Sequence, residues 1–176
     1  TTPISTLFGV RIGATIDEIE LPHFELKTPF YSCQYGFTPK KKFRQFDMYC
    51  FQIVDGRVHR VIGAWQKPGR KYRKWEVDIE AFQGERALVR NILKEKYKIH
   101  FAKRSQILYA GTEMDYTLLS ELSCEYKEKG SKTPKKYWAI ELRPDERRFS
   151  ADMRQKERRA SEEKARKIRL DGIDAL

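Results

Sequence analysis

The sequence predicts an α+β protein in which an antiparallel sheet packs against one amphipathic helix, with a short N-terminal helix and a long charged C-terminal helix. Three observations support this: an Asp-Gly pair between two apolar runs, segments that alternate apolar with polar residues, and one segment with apolar residues at helical spacing. Hydrophobic residues make up 40% of the chain and aromatic residues 12%, too many for a disordered segment. For 176 residues we expect a single α+β domain over 1–145 and a charged helix over 146–176.

The opening stretch FGVRIGATIDEIE, residues 8–20, predicts a strand that leads into the short helix. Thr15 and Glu18 have the spacing of a capping box, in which the two residues satisfy the free N–H groups of a first helical turn. A phosphate-binding loop of the Walker type needs a Lys-Ser/Thr pair, which the spacing Gly9-x-x-x-Gly13 lacks. We therefore interpret these two glycines as turn residues.

The Asp-Gly pair at 55–56 is the clearest local signal, since it separates MYCFQIV from RVHRVIGAW. Such a pair accepts the positive φ angles of a type I′ turn, so the two runs form a β-hairpin. The turn places Ile53 opposite Val58 and Phe51 opposite Arg60. The core face of the hairpin then carries Tyr49, Phe51, Ile53, Val58 and Ile62.

The remaining elements follow from periodicity. TPFYSCQY (28–35) predicts a strand before an exposed turn, and the alternating WEVDIEAF (75–82) predicts another. GERALVRNILKEKYK (84–98) has the helical spacing of the amphipathic helix. Further strands are predicted for SQILYAG, YTLLSELSCEYKEKG and KKYWAIELR. The charged segment from Ser150 to Leu170 predicts a helix with a thin apolar stripe that stops near Gly172.

Two of these segments resemble small exported bacterial domains. Phe8-Gly-Val-x-Ile-Gly-Ala-Thr15 followed by a short helix is similar to the N-terminus of proteins like β-lactamase inhibitory protein and the small outer-membrane assembly lipoproteins. DGRVHRV (55–61) and a later helix ending in LKEKY (93–97) are similar to the hairpin and helix of related envelope proteins. The resemblance implies a layered α+β fold that binds proteins and has no catalytic residues.

The three cysteines do not have the spacing of a zinc motif, and we expect neither a metal nor a cofactor. Cys33 and Cys50 lie in two strand-like runs that can be neighbours in a sheet. A Cys33–Cys50 disulfide would imply an oxidising compartment. The alternative is a pair of buried free thiols, which behave as small apolar groups.

The net charge of +11 predicts an anionic partner: nucleic acid, acidic lipid, lipopolysaccharide or an acidic protein. The positive charge concentrates in two loops that also carry aromatic residues, an arrangement that suits the phosphates and bases of nucleic acid. No known nucleic-acid-binding motif accompanies them. The predicted binding residues are Lys40, Lys41, Lys42 and Arg44 in the first loop, and Lys67, Arg70, Lys71, Arg73 and Lys74 in the second.

Catalytic chemistry has weaker support. On a strand, Glu76, Asp78 and Glu80 would point the same way and could bind Mg²⁺ or Ca²⁺, as in a nuclease, but we favour a solvated strand face, which explains the same residues. The three histidines, His23, His59 and His100, lack a partner at a recognisable motif spacing. We therefore expect no catalytic residues.

These observations favour a non-enzymatic, exported bacterial binding protein, periplasmic or secreted, that recognises a protein or an anionic envelope component. The alternative is a basic nucleic-acid-binding module, for which a cytoplasmic location is the natural one, and a second alternative is a metal-dependent nuclease. No apolar run is long enough to span a membrane, so we expect no membrane span.

Overall fold

The computed structural model of this chain describes residues 4–66, 75–97, 100–101, 107–109 and 117–176. The chain divides into two units, Thr1–Pro144 and Asp145–Leu176. The first unit contains an antiparallel sheet and helix α1 (Trp75–Tyr97). The second contains helix α2 (Glu146–Asp174), whose described side chains are all exposed. The prediction of an α+β protein with an antiparallel sheet is confirmed.

The first unit has a small hairpin and a larger sheet. The small hairpin pairs β1 (Thr6–Leu7) with β2 (Val10–Arg11). The strands of the larger sheet are β3 (His23–Phe30), β4 (Cys33–Phe37), β5 (Met48–Val54), β6 (Arg57–Gln66), β7 (His100–Phe101), β8 (Ile107–Tyr109), β9 (Thr117–Tyr126) and β10 (Lys135–Pro144). In the described residues they lie in the order β3-β4-β5-β6-β10-β9-β8-β7, and every neighbouring pair is antiparallel.

One face of the large sheet carries the first apolar cluster. Phe51 of β5, Val61 of β6 and Trp138 of β10 are buried there together with Val89 and Leu93 of α1. Because successive side chains of a strand point to opposite faces, the residues between them form a second cluster on the other side. Burial of both sets removes apolar surface from water, which is the main driving force for folding.

The second cluster is enclosed because the sheet curls. Phe30, at the end of the edge strand β3, lies 5.1 Å from the ring of Tyr137 and 5.7 Å from the ring of Tyr126 on β9, measured between ring centroids. The strands β3 and β9 are therefore in contact, although four strands, β4, β5, β6 and β10, lie between them in the sheet order. The members of this cluster are Phe30, Cys33, Cys50, Ile62, Ala64, Cys124, Tyr137 and Ala139.

The predicted Asp-Gly hairpin is confirmed at its turn and wrong beyond it. Asp55 and Gly56 have φ angles of 51° and 76°, and Ile53 lies opposite Val58. A β-bulge then inserts one residue of β6, so that Phe51 lies opposite Val61 and not Arg60. The one-residue shift reverses which side chains face the first cluster. Ile62, predicted for the core face, is consequently buried in the second cluster.

Two strand predictions are wrong. The segment 28–35 is broken by a turn at Tyr31 and Ser32, where Tyr31 adopts a φ of 55°, and its two parts belong to β3 and β4. The segment 75–82 is the first part of α1, not a strand. The predicted boundary at Gly84 is absent, because one glycine costs a helix only about 1 kcal/mol and the flanking Glu, Ala, Arg and Leu residues favour it.

The predicted N-terminal helix is only one 3₁₀ turn, Ile16–Glu18. Its capping box is confirmed, since the Glu18 carboxylate accepts hydrogen bonds from the Thr15 backbone N–H and hydroxyl at 3.3 Å and 3.0 Å. The charged C-terminal helix predicted over 146–176 is confirmed, and it continues past the stop expected near Gly172 to Asp174.

Candidate functional site

The first basic loop connects β4 to β5 and carries three consecutive lysines. Lys40, Lys41 and Lys42 are all exposed. Within the described part of the chain, none of their ammonium groups forms a hydrogen bond or an ion pair. We call residues 38–46 the lysine loop. Its three unpaired charges can meet an anion without first breaking a contact within the protein.

The lysine loop is held at both ends by hydrogen bonds. Before the lysines, the backbone N–H of Thr38 donates to the carbonyl of Pro22 at 2.9 Å. After them, the N–H of Phe43 donates to the Tyr49 hydroxyl at 2.8 Å, and that hydroxyl donates to the carbonyl of Phe46 at 3.3 Å. Burial raises the pKa of Tyr49, which keeps the hydroxyl protonated. The lysines are therefore presented by a preorganised loop, and less conformational entropy is lost on binding.

Arg44, also predicted as a binding residue, has a partner within the protein. Its Nε and Nη2 donate to the two carboxylate oxygens of Glu85 on α1 at 2.8 Å and 3.0 Å. This bidentate contact raises the pKa of Arg44. Arg44 thus ties the lysine loop to α1, and three of the four cations predicted here remain available to a ligand.

The aromatic residues beside the lysine loop belong to the core. Phe37 is buried, and Phe43 packs against Phe8 and Phe46 at centroid distances of 5.7 Å and 5.4 Å. Trp65 is half-buried and packs against the first cluster. Bases of a single strand stack on exposed rings. The lysine loop therefore offers charge without the stacking platform expected from the sequence.

The second basic loop lies outside the described residues. This applies to all five of its predicted binding residues, Lys67, Arg70, Lys71, Arg73 and Lys74. The alternative metal site on Glu76, Asp78 and Glu80 assumed a strand, whereas these residues lie in α1. Residues two apart in a helix are rotated by about 200° around its axis. The predicted alignment of three carboxylates on one strand face is therefore wrong.

Two hollows lie on either side of the turn formed by Phe8 and Gly9. Both residues have positive φ, 52° and 90°, and a Cβ atom at Gly9 would come within 2.9 Å of Leu21 Cδ1. The apolar hollow has a volume of about 380 Å³ and opens between the β1–β2 hairpin and α1. Its walls include Ile4, Leu7, Phe8, Phe43, Ile92 and Leu93. Lys96 and Tyr97 line it as well.

The polar hollow has a volume of about 330 Å³ and adjoins the lysine loop. Lys40 and Lys41 line it together with Glu18 and Glu20. Glu18 forms an ion pair with Arg11 at 2.8 Å, and its hydrogen bonds with Thr15 lower its pKa. The lysines and carboxylates give this hollow a mixed charge, unlike the apolar hollow.

A buried carboxylate joins α1 to the sheet. Glu121 of β9 is almost fully buried, and its oxygens contact the guanidinium groups of Arg86 and Arg90. Arg86 Nη2 lies 2.7 Å from Glu121 Oε2, and the hydrogen bond with Glu121 raises the pKa of Arg90. The sequence pattern does not reveal this triad, because Glu121 lies 35 positions from Arg86 and 31 positions from Arg90 along the chain.

A second buried carboxylate lies on the opposite face of the sheet. Glu141 has Arg60 Nε 2.9 Å from one oxygen and Arg143 Nε 3.1 Å from the other. The Arg60 contact is an ion pair without hydrogen-bond alignment. Arg60 also lies 4.9 Å from the centre of the Tyr31 ring. Burial raises the pKa of Glu141, and the two arginines oppose this shift.

All three cysteines are buried free thiols of the second cluster. Burial raises the pKa of Cys50 well above its usual value, and a hydrogen bond with Cys33 raises it further. Cys33 and Cys50 are thus in contact, while the disulfide between them stays a prediction. In the described residues, no group of three His, Cys, Asp or Glu side chains is arranged to hold a metal ion.

The three histidines lie in three different strands, His23 in β3, His59 in β6 and His100 in β7. His23 Nδ1 lies 2.8 Å from the carbonyl oxygen of Leu21. His59 is the extra residue of the bulge in β6 and is half-buried.

Comparison with known proteins found no relative: no family model, curated protein or solved structure matches this chain. The resemblance to small exported bacterial domains therefore stays an expectation. Neither helix, over its described residues, combines the length and the apolar character that crossing a membrane requires.

Proposed function

We propose that this chain is a non-enzymatic binding protein that recognises an anionic component of the bacterial envelope through its lysine loop. The observation that carries the proposal is the set of three adjacent, exposed and unpaired lysines on a loop held at both ends. Clustered positive charge raises the local concentration of anions and speeds their association. The net charge of +11 acts in the same direction.

Nucleic acid is the competing partner. The phosphate backbone would satisfy Lys40, Lys41 and Lys42 as well as an envelope glycolipid would. Stacking is what distinguishes single-stranded nucleic acid from other polyanions, and Phe37 and Phe43 are engaged in the core. This favours a ligand that is recognised by its charge.

Export to the periplasm or the cell exterior is part of the same proposal. Contact between Cys33 and Cys50 would allow oxidation in such a compartment. Mass spectrometry under non-reducing conditions, on protein isolated from its own host, tests this. A Cys33–Cys50 bond supports export, and free thiols at both positions argue for the cytoplasm.

Equilibrium binding of lipopolysaccharide tests the proposed function. Replacement of Lys40, Lys41 and Lys42 by glutamine should weaken binding about tenfold, which corresponds to about 1.4 kcal/mol. The matched control replaces Lys127, Lys129 and Lys132, three exposed lysines of another loop. Both triple variants lose the same net charge, but only the first alters the lysine loop.

Equal weakening in the two triple variants would show that overall charge is responsible and would contradict the proposal. Single-stranded nucleic acid measured in the same buffer separates the alternatives. Tighter binding to the nucleic acid than to lipopolysaccharide would favour the second function.

A further inference from the structure

We infer that the apolar hollow binds the aliphatic chain of a single-chain anionic amphiphile, with the anionic head at Lys96. This site is distinct from the lysine loop. The hollow lies between the β1–β2 hairpin and α1, and its volume of about 380 Å³ falls in the usual range of small-molecule sites, about 300–1,000 Å³.

The walls of the hollow suit an aliphatic chain. Ile4, Leu7 and Leu93 are buried side chains that form its inner part. Phe8 and Ile92 are only half-buried, so they keep apolar surface exposed. An aliphatic chain that covers this surface would remove it from water, which is the main source of affinity in apolar sites.

The charge of the lining selects the head group. Lys96 is the one charged residue among the described residues that line the apolar hollow. Its ammonium nitrogen lies 5.2 Å from the centre of the Tyr97 ring and is exposed at the rim. Ser5 and Thr6 add hydroxyl groups to the same lining. Among the described lining residues, one cation without a carboxylate complements a singly charged carboxylate or phosphate head.

The polar hollow does not meet these conditions. Glu18 and Glu20 line it, and both would repel an anionic head. The two hollows meet at Phe8 and Gly9, which line both. An amphiphile is therefore expected on the α1 side of this turn.

Isothermal titration calorimetry with dodecanoate below its micelle concentration tests the inference on the full chain. We expect saturable binding to one site, and weaker binding of dodecanol, which has the same chain length without the charge. Lys96→Gln should weaken dodecanoate binding about threefold to fivefold, the effect of one exposed charge contact, and should reduce the preference over dodecanol. Lys129→Gln is the matched control and should change neither quantity.

Ile92→Trp places a larger side chain in the hollow and should abolish dodecanoate binding, with circular dichroism used to establish that the variant is folded. The glutamine triple variant of the lysine loop should keep dodecanoate binding, so this inference and the proposed function can fail separately. Absence of saturable binding would overturn the inference. Dodecanoate binding of unchanged affinity in both Ile92→Trp and Lys96→Gln, or binding confined to anionic phosphatidylglycerol vesicles, would overturn it as well.

Discussion

The ring of Phe8 lies directly on the backbone of Gly63, where a Cβ atom would come within 2.2 Å of the ring. This contact places the turn of the β1–β2 hairpin on the central strand β6. Phe8 also packs edge-on against Phe46 and Tyr49, at centroid distances of 6.0 Å and 5.2 Å. The glycine therefore positions the aromatic residue that separates the two hollows.

Gly63→Ala should destabilise the protein by about 1–3 kcal/mol, since overpacking displaces the Phe8 ring. Gly84→Ala is the matched control, because Gly84 lies in α1 with no atom within 4 Å of an added Cβ. That substitution should stabilise the protein by about 0.5–1 kcal/mol. Chemical denaturation measures both values, and effects of the same sign would contradict this description of the Phe8 contact.

Glu121→Gln should lower the free energy of unfolding by about 3 kcal/mol. The substitution removes a buried charge and leaves Arg86 and Arg90 without their counter-ion. Glu125→Gln, on the same strand but exposed, should change stability by less than about 0.5 kcal/mol. Urea denaturation of the two variants side by side makes the comparison. Similar losses would mean that the buried triad does not join α1 to the sheet.

The buried thiols should be unreactive in the folded protein. A thiolate is the reactive form of cysteine, and burial raises the pKa of Cys50 well above its ordinary value. Protein purified under reducing conditions should react with Ellman's reagent at the three cysteines only as fast as it unfolds. In denaturant, all three thiols should become accessible and react with the reagent at the same time. Rapid reaction of native protein at Cys50 would contradict the enclosed second cluster.

Tyr137 should make stability fall at alkaline pH. Burial raises its pKa from 10.0 to about 12. Because the folded pKa exceeds the unfolded value, this stabilisation is complete below pH 10 and is lost as the pH rises towards 12. The contribution is about 1.4 kcal/mol per pH unit in that window. Tyr137→Phe should reduce the slope measured by denaturation between pH 10.0 and about pH 12, and an unchanged slope would contradict it.

The Asp-Gly signal predicted its own turn better than it predicted the register of the hairpin. The type I′ turn requires positive φ at both positions, which Asp and Gly accept as a property of the two residues themselves, and the turn is as expected. The bulge at His59 depends on how β6 packs with its neighbours, and no local pattern marks it. Because of this one inserted residue, Val61 faces the first cluster in place of Ile62, which was predicted to do so.

The candidate site shows the same limit. Exposure of Lys40, Lys41 and Lys42 follows from their charge and was expected. The pairing of Arg44 with Glu85 joins residues 41 positions apart, so adjacency in the sequence could not reveal it. The alternation of apolar and polar residues in 75–82 led to a wrong strand prediction, because a short segment can match a period of two while it belongs to a longer helix.

The salt dependence of polyanion binding tests the central claim most directly. Association with a linear sulfated polysaccharide releases counterions, so the logarithm of the binding constant falls with the logarithm of salt concentration. Removing the charges of Lys40, Lys41 and Lys42 should reduce that slope by about two, on the scale of ~0.7–0.9 per neutralised phosphate for nucleic acids. The control variant, with glutamine at Lys127, Lys129 and Lys132, should have the same slope as the wild-type protein. A lysine-loop variant with the wild-type slope would show that the polyanion binds elsewhere and would contradict the proposed function.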